Sequence, residues 1–174
     1  MPPYASHGNG KFTIDQFGTI GSNVVFEHGV LAFHPENIFL GSNIYIGHYT
    51  ILKGYYQNAM TIGNNTWIGQ GCFFHSAGGI TIENDVGIGP GVKIITSTHA
   101  LEDKMKPILH QRLKLEPVRV DAGSDIGVGA IILPGVRIHR GAQIGAGAVV
   151  TQDIPSHAIA VGSPAKVIEY IDAH

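Results

Sequence analysis

The side chains best suited to moving a proton near neutral pH are histidines, and this chain has 10 of them among 174 residues. One differs from the others in position. His99 ends the run Ile94-Ile95-Thr96-Ser97-Thr98-His99, where a regular spacing of apolar residues stops. A long excursion, 95–119, follows and carries Lys104, Lys106, Arg112, Lys114 and Arg119, five of the 11 Lys and Arg residues. A histidine at such a boundary is suited to taking the proton of a hydroxyl or amine as that group attacks an electrophile. Loops held on a regular scaffold are where binding and catalytic groups usually stand. Glu102 and Asp103 lie close enough in sequence to orient the imidazole, and a backbone carbonyl would serve equally well.

The elements that position this histidine are written in a six-residue period. Ile-Gly recurs at Ile20, Ile46, Ile62, Ile68, Ile88, Ile126 and Ile144. In phase with these, every sixth residue gives the triplets Ile14, Ile20, Phe26; Leu40, Ile46, Leu52; Ile62, Ile68, Phe74; Ile82, Ile88, Ile94; Val120, Ile126, Ile132; and Ile138, Ile144, Val150. All are apolar in a chain that is 44% hydrophobic. Neither an amphipathic helix nor a half-buried hairpin has this period, whereas a parallel β-helix of hexapeptides does. Three hexads make one triangular coil, with its apolar residues pointing inward. The 24 glycines suit the repeated corners. The reading is all-β, a single domain over 1–174 of about six coils, with an extruded loop near 95–119 and a C-terminal cap near 155–174. Insertions at 27–39, 53–61, 75–81 and 95–119 each follow a third hexad, so they should emerge along one edge. His75 stands on that edge one coil before His99, and Tyr55, Tyr56 and Gln57 two coils before.

Composition narrows the function. A net charge of -2 argues against a broad nucleic-acid surface. Cys72 is the one cysteine, which excludes an internal disulfide framework and a multi-cysteine zinc site; its small-residue position in the repeat makes it core. No apolar run approaches the ~18 residues of a membrane span. The first residues lack the basic and then apolar pattern of a secretion signal, so a reducing, cytoplasmic location is expected.

The hexapeptide pattern, running from about Ile14 to Ile168, resembles the left-handed β-helix acyltransferases. Ser97-Thr98-His99-Ala100 is similar to the loop entry at which the sugar and antibiotic acetyltransferases of that family place a catalytic histidine. The run from Pro117 to Val136 resembles the stretch after the loop. There the family aims a backbone N–H at the thioester carbonyl, in this chain that of Val128 beside Gly127. The family usually has Trp just before this Ile-Gly; here it is Asp125, and Trp67 holds the equivalent hexad place several coils earlier. Gly145-Ala146-Gly147-Ala148-Val149-Val150-Thr151 and Ala160-Val161-Gly162-Ser163-Pro164-Ala165-Lys166 resemble the ending of coenzyme A-dependent members. The resemblance therefore implies acetyl-CoA as co-substrate and no metal. Gly127, Val128, Gly145, Ala146 and Thr151 would lie along the pantetheine arm, with Lys166 at the nucleotide phosphates. It implies a homotrimer with coenzyme A between subunits. On the acceptor side His75, Tyr56 and Gln70 are the candidates; Gln70 stands next to the position, Gly69, at which galactoside- and maltose-type members have an acceptor-binding Asn.

The expected activity is acetyl-CoA-dependent O-acetylation of a saccharide hydroxyl. The alternative is N-acetylation of an amino-sugar nucleotide. A γ-carbonic anhydrase shares the solenoid but needs three histidines on zinc, and no His-x4-His pair follows a coil here. A solenoid used only for assembly would need neither the long loop nor the coenzyme A-like ending.

Overall fold

The computed structural model describes residues 5–171. The chain winds into a β-solenoid of six complete coils and a partial seventh, with three parallel sheets as the faces of a prism. Coil 1 comprises the strands Thr19–Ile20, Val24–Phe26 and Leu31–Phe33; coil 2, Ile38–Leu40, Ile44–Ile46 and Ile51–Lys53; coil 3, Met60–Ile62, Thr66–Ile68 and Phe73–His75. Coil 4 has Ile80–Ile82, Gly87–Ile88 and Lys93–Ile95; coil 5, Val118–Val120, Asp125–Ile126 and Ile131–Ile132; coil 6, Arg137–Ile138, Gln143–Ile144 and Val149–Val150. Each strand pairs in register with the same hexad of the next coil, as in Leu40↔Ile62, Ile46↔Ile68 and Leu52↔Phe74. Among the described residues no helix is long and apolar enough to cross a membrane.

The inward ladder is dry. Ile46, Leu52, Ile68, Phe74, Ile88, Ile94, Ile132 and Val150 are fully buried. Cys72 lies in the core, and its Sγ donates to the Gly89 carbonyl at 3.3 Å. Burial pushes its thiol above the ordinary cysteine range, so the nucleophilic thiolate is disfavoured.

The first coil corrects the sequence phase. Ile20, Phe26 and Ala32 form its ladder, pairing with Leu40, Ile46 and Leu52. Ile14 lies outside it, in a 3-10 turn, and is half exposed. The segment 27–39 is therefore a strand and a short turn at Pro35–Asn37, not one long insertion. Ala32 is too small to mark the ladder in sequence. The end of the prism is filled instead by Phe12, Phe17 and Phe26, with ring centroids 4.9–5.5 Å apart.

In coils 1 to 4 glycine is not the residue that turns the first corner, although Gly123 and Gly141 turn it in coils 5 and 6. Asn23, Asn43, Asn65 and Asp85 occupy left-handed backbone there, at φ 55–59°. Their side chains join from coil to coil, Asn23 to Asn43 at 2.8 Å, Asn43 to Asn65 at 3.0 Å and Asn65 to Asp85 at 2.9 Å. Asn and Asp tolerate this conformation, and a stacked amide row satisfies their polar groups. Gly71, Gly91, Gly129 and Gly147 turn the second corner at φ 66–71°. The C-terminal cap is partly an additional rung: Ala158–Val161 continues the second face, and Lys166–Tyr170 closes it antiparallel. A closing strand satisfies the ladder groups that the last coil would leave open.

Candidate functional site

The insertions at 53–61, 75–81 and 95–119, and the short turn at Pro35–Asn37 that remains of the first, leave the prism at one corner, between the third face and the first. The long one is ordered as a ribbon: Ser97–His99 pairs antiparallel with Leu113–Leu115, placing His99 opposite Leu113. His99 is half buried, and its Nδ1–H donates to the Gln111 carbonyl oxygen at 3.4 Å. That contact fixes the tautomer with its lone pair on Nε2, and no partner for Nε2 stands among the described residues.

The orienting group is thus a backbone carbonyl. Glu102 is used elsewhere, against Arg112 at 2.7 Å, and Asp103 accepts from the Met105 N–H at 2.9 Å. Gln111 itself was not legible in the sequence. Its side chain ties the loop together, donating to the Asp103 carbonyl at 2.6 Å and accepting from the Glu102 N–H at 2.9 Å. Two of the loop's basic residues, Arg112 and Lys114, are paired with acids of the loop itself. Lys114 pairs with Glu116 at 2.8 Å. Arg119 belongs to a coil 5 strand and pairs with Glu83 and, at 2.8 Å, with Asp121. Asp121 also receives Arg137 at 2.9 Å. Burial opposes its charge, but the two guanidinium groups prevail and hold its carboxyl below the usual range. This network pins the strand by which the loop re-enters the prism.

His75 shares the insertion edge. Its Nδ1 lies 3.5 Å from the Ser97 Oγ, and its ring stands 6.1 Å from that of Tyr55, which packs on Tyr56 at 4.6 Å. Burial, then the nearby charges of Lys53 and His7, push His75 below the ordinary histidine range. Tyr56 is exposed. His75, Tyr55, Tyr56, Ser97 and His99 therefore belong to one edge, with neutral hydrogen-bonding groups suited to a polyhydroxylated ligand.

The remaining candidates stand elsewhere. Gln70, Val128 and Ala146 occupy the corner between the second and third faces, one per coil in coils 3, 5 and 6. Gly127 and Gly145 stack beside them: a Cβ on Gly127 would fall 2.6 Å from the Ala146 N. The amides of Val128 and Ala146 donate to no acceptor among the described residues, while the carbonyl of Val128 accepts from the Gly147 N–H at 2.8 Å. Two free donors along a strip of small residues fit an extended amide-bearing chain such as pantetheine. Lys166 pairs with Val161 above the same corner and is exposed, as a group meeting phosphates would be. Thr151 follows the last third-face strand and lies on the insertion edge, with His99 and apart from Lys166. A single chain thus holds its candidate base on one edge and its candidate oxyanion donor on another. Trp67 and Asp125 lie on one ladder of the second face, two coils apart.

No family model matches the chain. It is 43% identical to nodulation protein L of Rhizobium meliloti over 109 residues, 62% of this chain and 58% of that one. It resembles the structure of a maltose O-acetyltransferase from Clostridium difficile at a TM-score of 0.67 and 30% identity, covering 91% of this chain and 72% of the other. AntD, an N-acyltransferase from Bacillus cereus solved with dTDP and coenzyme A, superposes at a TM-score of 0.82, covering 91% of this chain and 86% of that one; at 23% identity it shows a shared fold. The chain spans a little over half the length of the curated relatives it matches, 52–58%.

Proposed function

The chain belongs to the hexapeptide-repeat β-helix acetyltransferases, and from that premise we propose that it is an acetyl-CoA-dependent O-acetyltransferase of saccharide hydroxyls. The observation that carries this reading is the held imidazole: His99 on the ribbon, its Nδ1–H on the Gln111 carbonyl, its Nε2 unpartnered. In that state Nε2 takes the proton of an acceptor hydroxyl. Bound acetyl-CoA supplies the thioester that the oxygen attacks. The Val128 N–H, fixed in a rigid turn, meets the carbonyl oxygen as negative charge develops there. The proton then on His99 passes to the departing sulfur. His75, Tyr55 and Tyr56 offer neutral contacts to sugar hydroxyls, with Gln70 on the Val128 edge.

Because His99 and Val128 occupy different edges, the reading requires a second copy to bring its Val128 corner against the His99 edge. A closed trimer with three such clefts meets that requirement. The resemblance to a maltose O-acetyltransferase supports hydroxyl acceptors.

The test is thiol release from acetyl-CoA with maltose and longer oligosaccharides, set beside glucosamine and a nucleotide-linked amino sugar. Turnover with hydroxyl acceptors is expected. His99→Ala should lower kcat by roughly 10²–10⁴-fold, with a much smaller change in KM, because the base acts as the proton moves. Turnover with amines alone would replace the reading by N-acetylation. A folded His99→Ala protein within a few-fold of wild type would end it.

A further inference from the structure

The outward ladder of the second face has one missing rung. Tyr45 and Trp67 face each other across coils 2 and 3, with ring centroids 5.9 Å apart and planes within 5°. At that spacing parallel rings are offset-stacked. One face of the indole is therefore covered by Tyr45, and the other is turned toward the next rung. That rung is Gly87, paired with Trp67 on one side and with Asp125 on the other. A Cβ built on Gly87 would meet the Asp125 carboxylate at 2.6 Å, and no Trp67 atom lies within 4 Å of it. Trp67 is 44% exposed.

The two walls of this gap have complementary chemistry. One is the electron-rich face of an indole, backed by a second ring. The other is a carboxylate leaning over the empty rung. No Lys, Arg or His among the described residues comes within ion-pair distance of Asp125, and its side chain makes no hydrogen bond there. Rungs stand ~4.8 Å apart, so Trp67 and Asp125 start ~10 Å apart along the ladder, a span that opens fully when the exposed Asp125 carboxylate, which leans over Gly87, swings back. A planar group with ordinary contacts on both sides needs ~7–8 Å. An aromatic face opposite a carboxylate is the pairing that recognises an organic cation.

We propose that the gap between Trp67 and Asp125 is a binding slot for an organic cation, a guanidinium or substituted ammonium group, which lays one face on the indole and pairs with the carboxylate. The slot does not depend on the acyl-transfer reading, and its test reads no catalysis.

Trp67 is the only tryptophan in the chain, so intrinsic emission reports this position alone. Titration of the full-length protein with methylguanidinium should give a saturable change, with a dissociation constant in roughly the millimolar range expected of one exposed cation–π contact with one ion pair. Asp125→Asn keeps the shape and removes the charge; it should weaken binding about tenfold. Gly87→Leu fills the rung at a backbone angle open to any residue, displacing only the mobile end of Asp125, and should abolish the change. Thermal melts of both variants confirm that the fold persists. A linear, non-saturating response overturns the proposal. So does equal binding by maltose that survives Asp125→Asn, which would make the stack a saccharide platform. A Trp67 signal that changes on dilution and ignores the probe would assign the slot to a second copy of this chain and equally overturn it.

Discussion

Replacing Gly127 with Ala tests whether the Val128 amide is held by contact between coils. A Cβ there would stand 2.6 Å from both the Ala146 N and the Ile144 O, and 2.7 Å from the Gly145 C. All three are backbone atoms of coil 6, so no side chain can swing aside. Ordinary contact begins near 3.5 Å, so the two coils must separate by roughly 0.9 Å at this corner. The bond that would lengthen is the one from the Gly127 N–H to the Ile144 carbonyl, now 2.8 Å. Overpacking of this kind costs about 1–3 kcal/mol. For a chain of this size each kcal/mol lowers Tm by about 2–4 °C. The same shift moves the neighbouring Val128 N–H. A misplacement near 1 Å in a catalytic group costs on the order of 10²-fold in rate. Urea unfolding and steady-state kcat with acetyl-CoA measure the two effects on one preparation. Gly129→Ala is the control. It has φ +69° and open space around its Cβ, so its cost is backbone strain of about 1–2 kcal/mol with no wedge between coils. A Gly127→Ala protein with wild-type stability and turnover would show that close stacking does not set the position of the amide.

Other outcomes follow from the same geometry. Phe74→Ala removes a fully buried ring from the middle of the ladder and should cost about 3–5 kcal/mol in urea unfolding, whereas Phe73→Ala, on the outward side of the same strand, should cost far less. His75 is held below its ordinary value by burial and by Lys53, so the unfolded chain binds more protons in the window just beneath pH 6.5. Stability should therefore fall as pH drops through 6.5 and level off below the folded-state value, and His75→Gln should flatten that part of a Tm-against-pH curve. Arg119→Met leaves the charges of Glu83 and Asp121 with one guanidinium fewer and should loosen the loop's re-entry, seen as faster amide exchange in 113–120.

What the sequence determined by itself is whatever a coil enforces locally. A buried ladder with one side chain per face demands an apolar residue every sixth position, so five of the six triplets, the three-sided prism and the single insertion edge were legible. His99 was legible because it ends that pattern. The first coil was not, because its third ladder position is Ala32, and Phe12 and Phe17, from outside the ladder, pack on Phe26 to fill that end. The amide row at the first corner was hidden because its members stand 20 or 22 residues apart and only stacking makes them neighbours. The carbonyl that holds His99 comes from Gln111 across a ribbon, and no side-chain type marks a backbone acceptor. The gap over Gly87 is invisible for the same reason: a glycine between Trp67 and Asp125 becomes an opening only when three coils stack in register. Periodicity reports what each residue must be to face inward; which outward groups meet depends on register between coils, and that the tertiary structure alone decides.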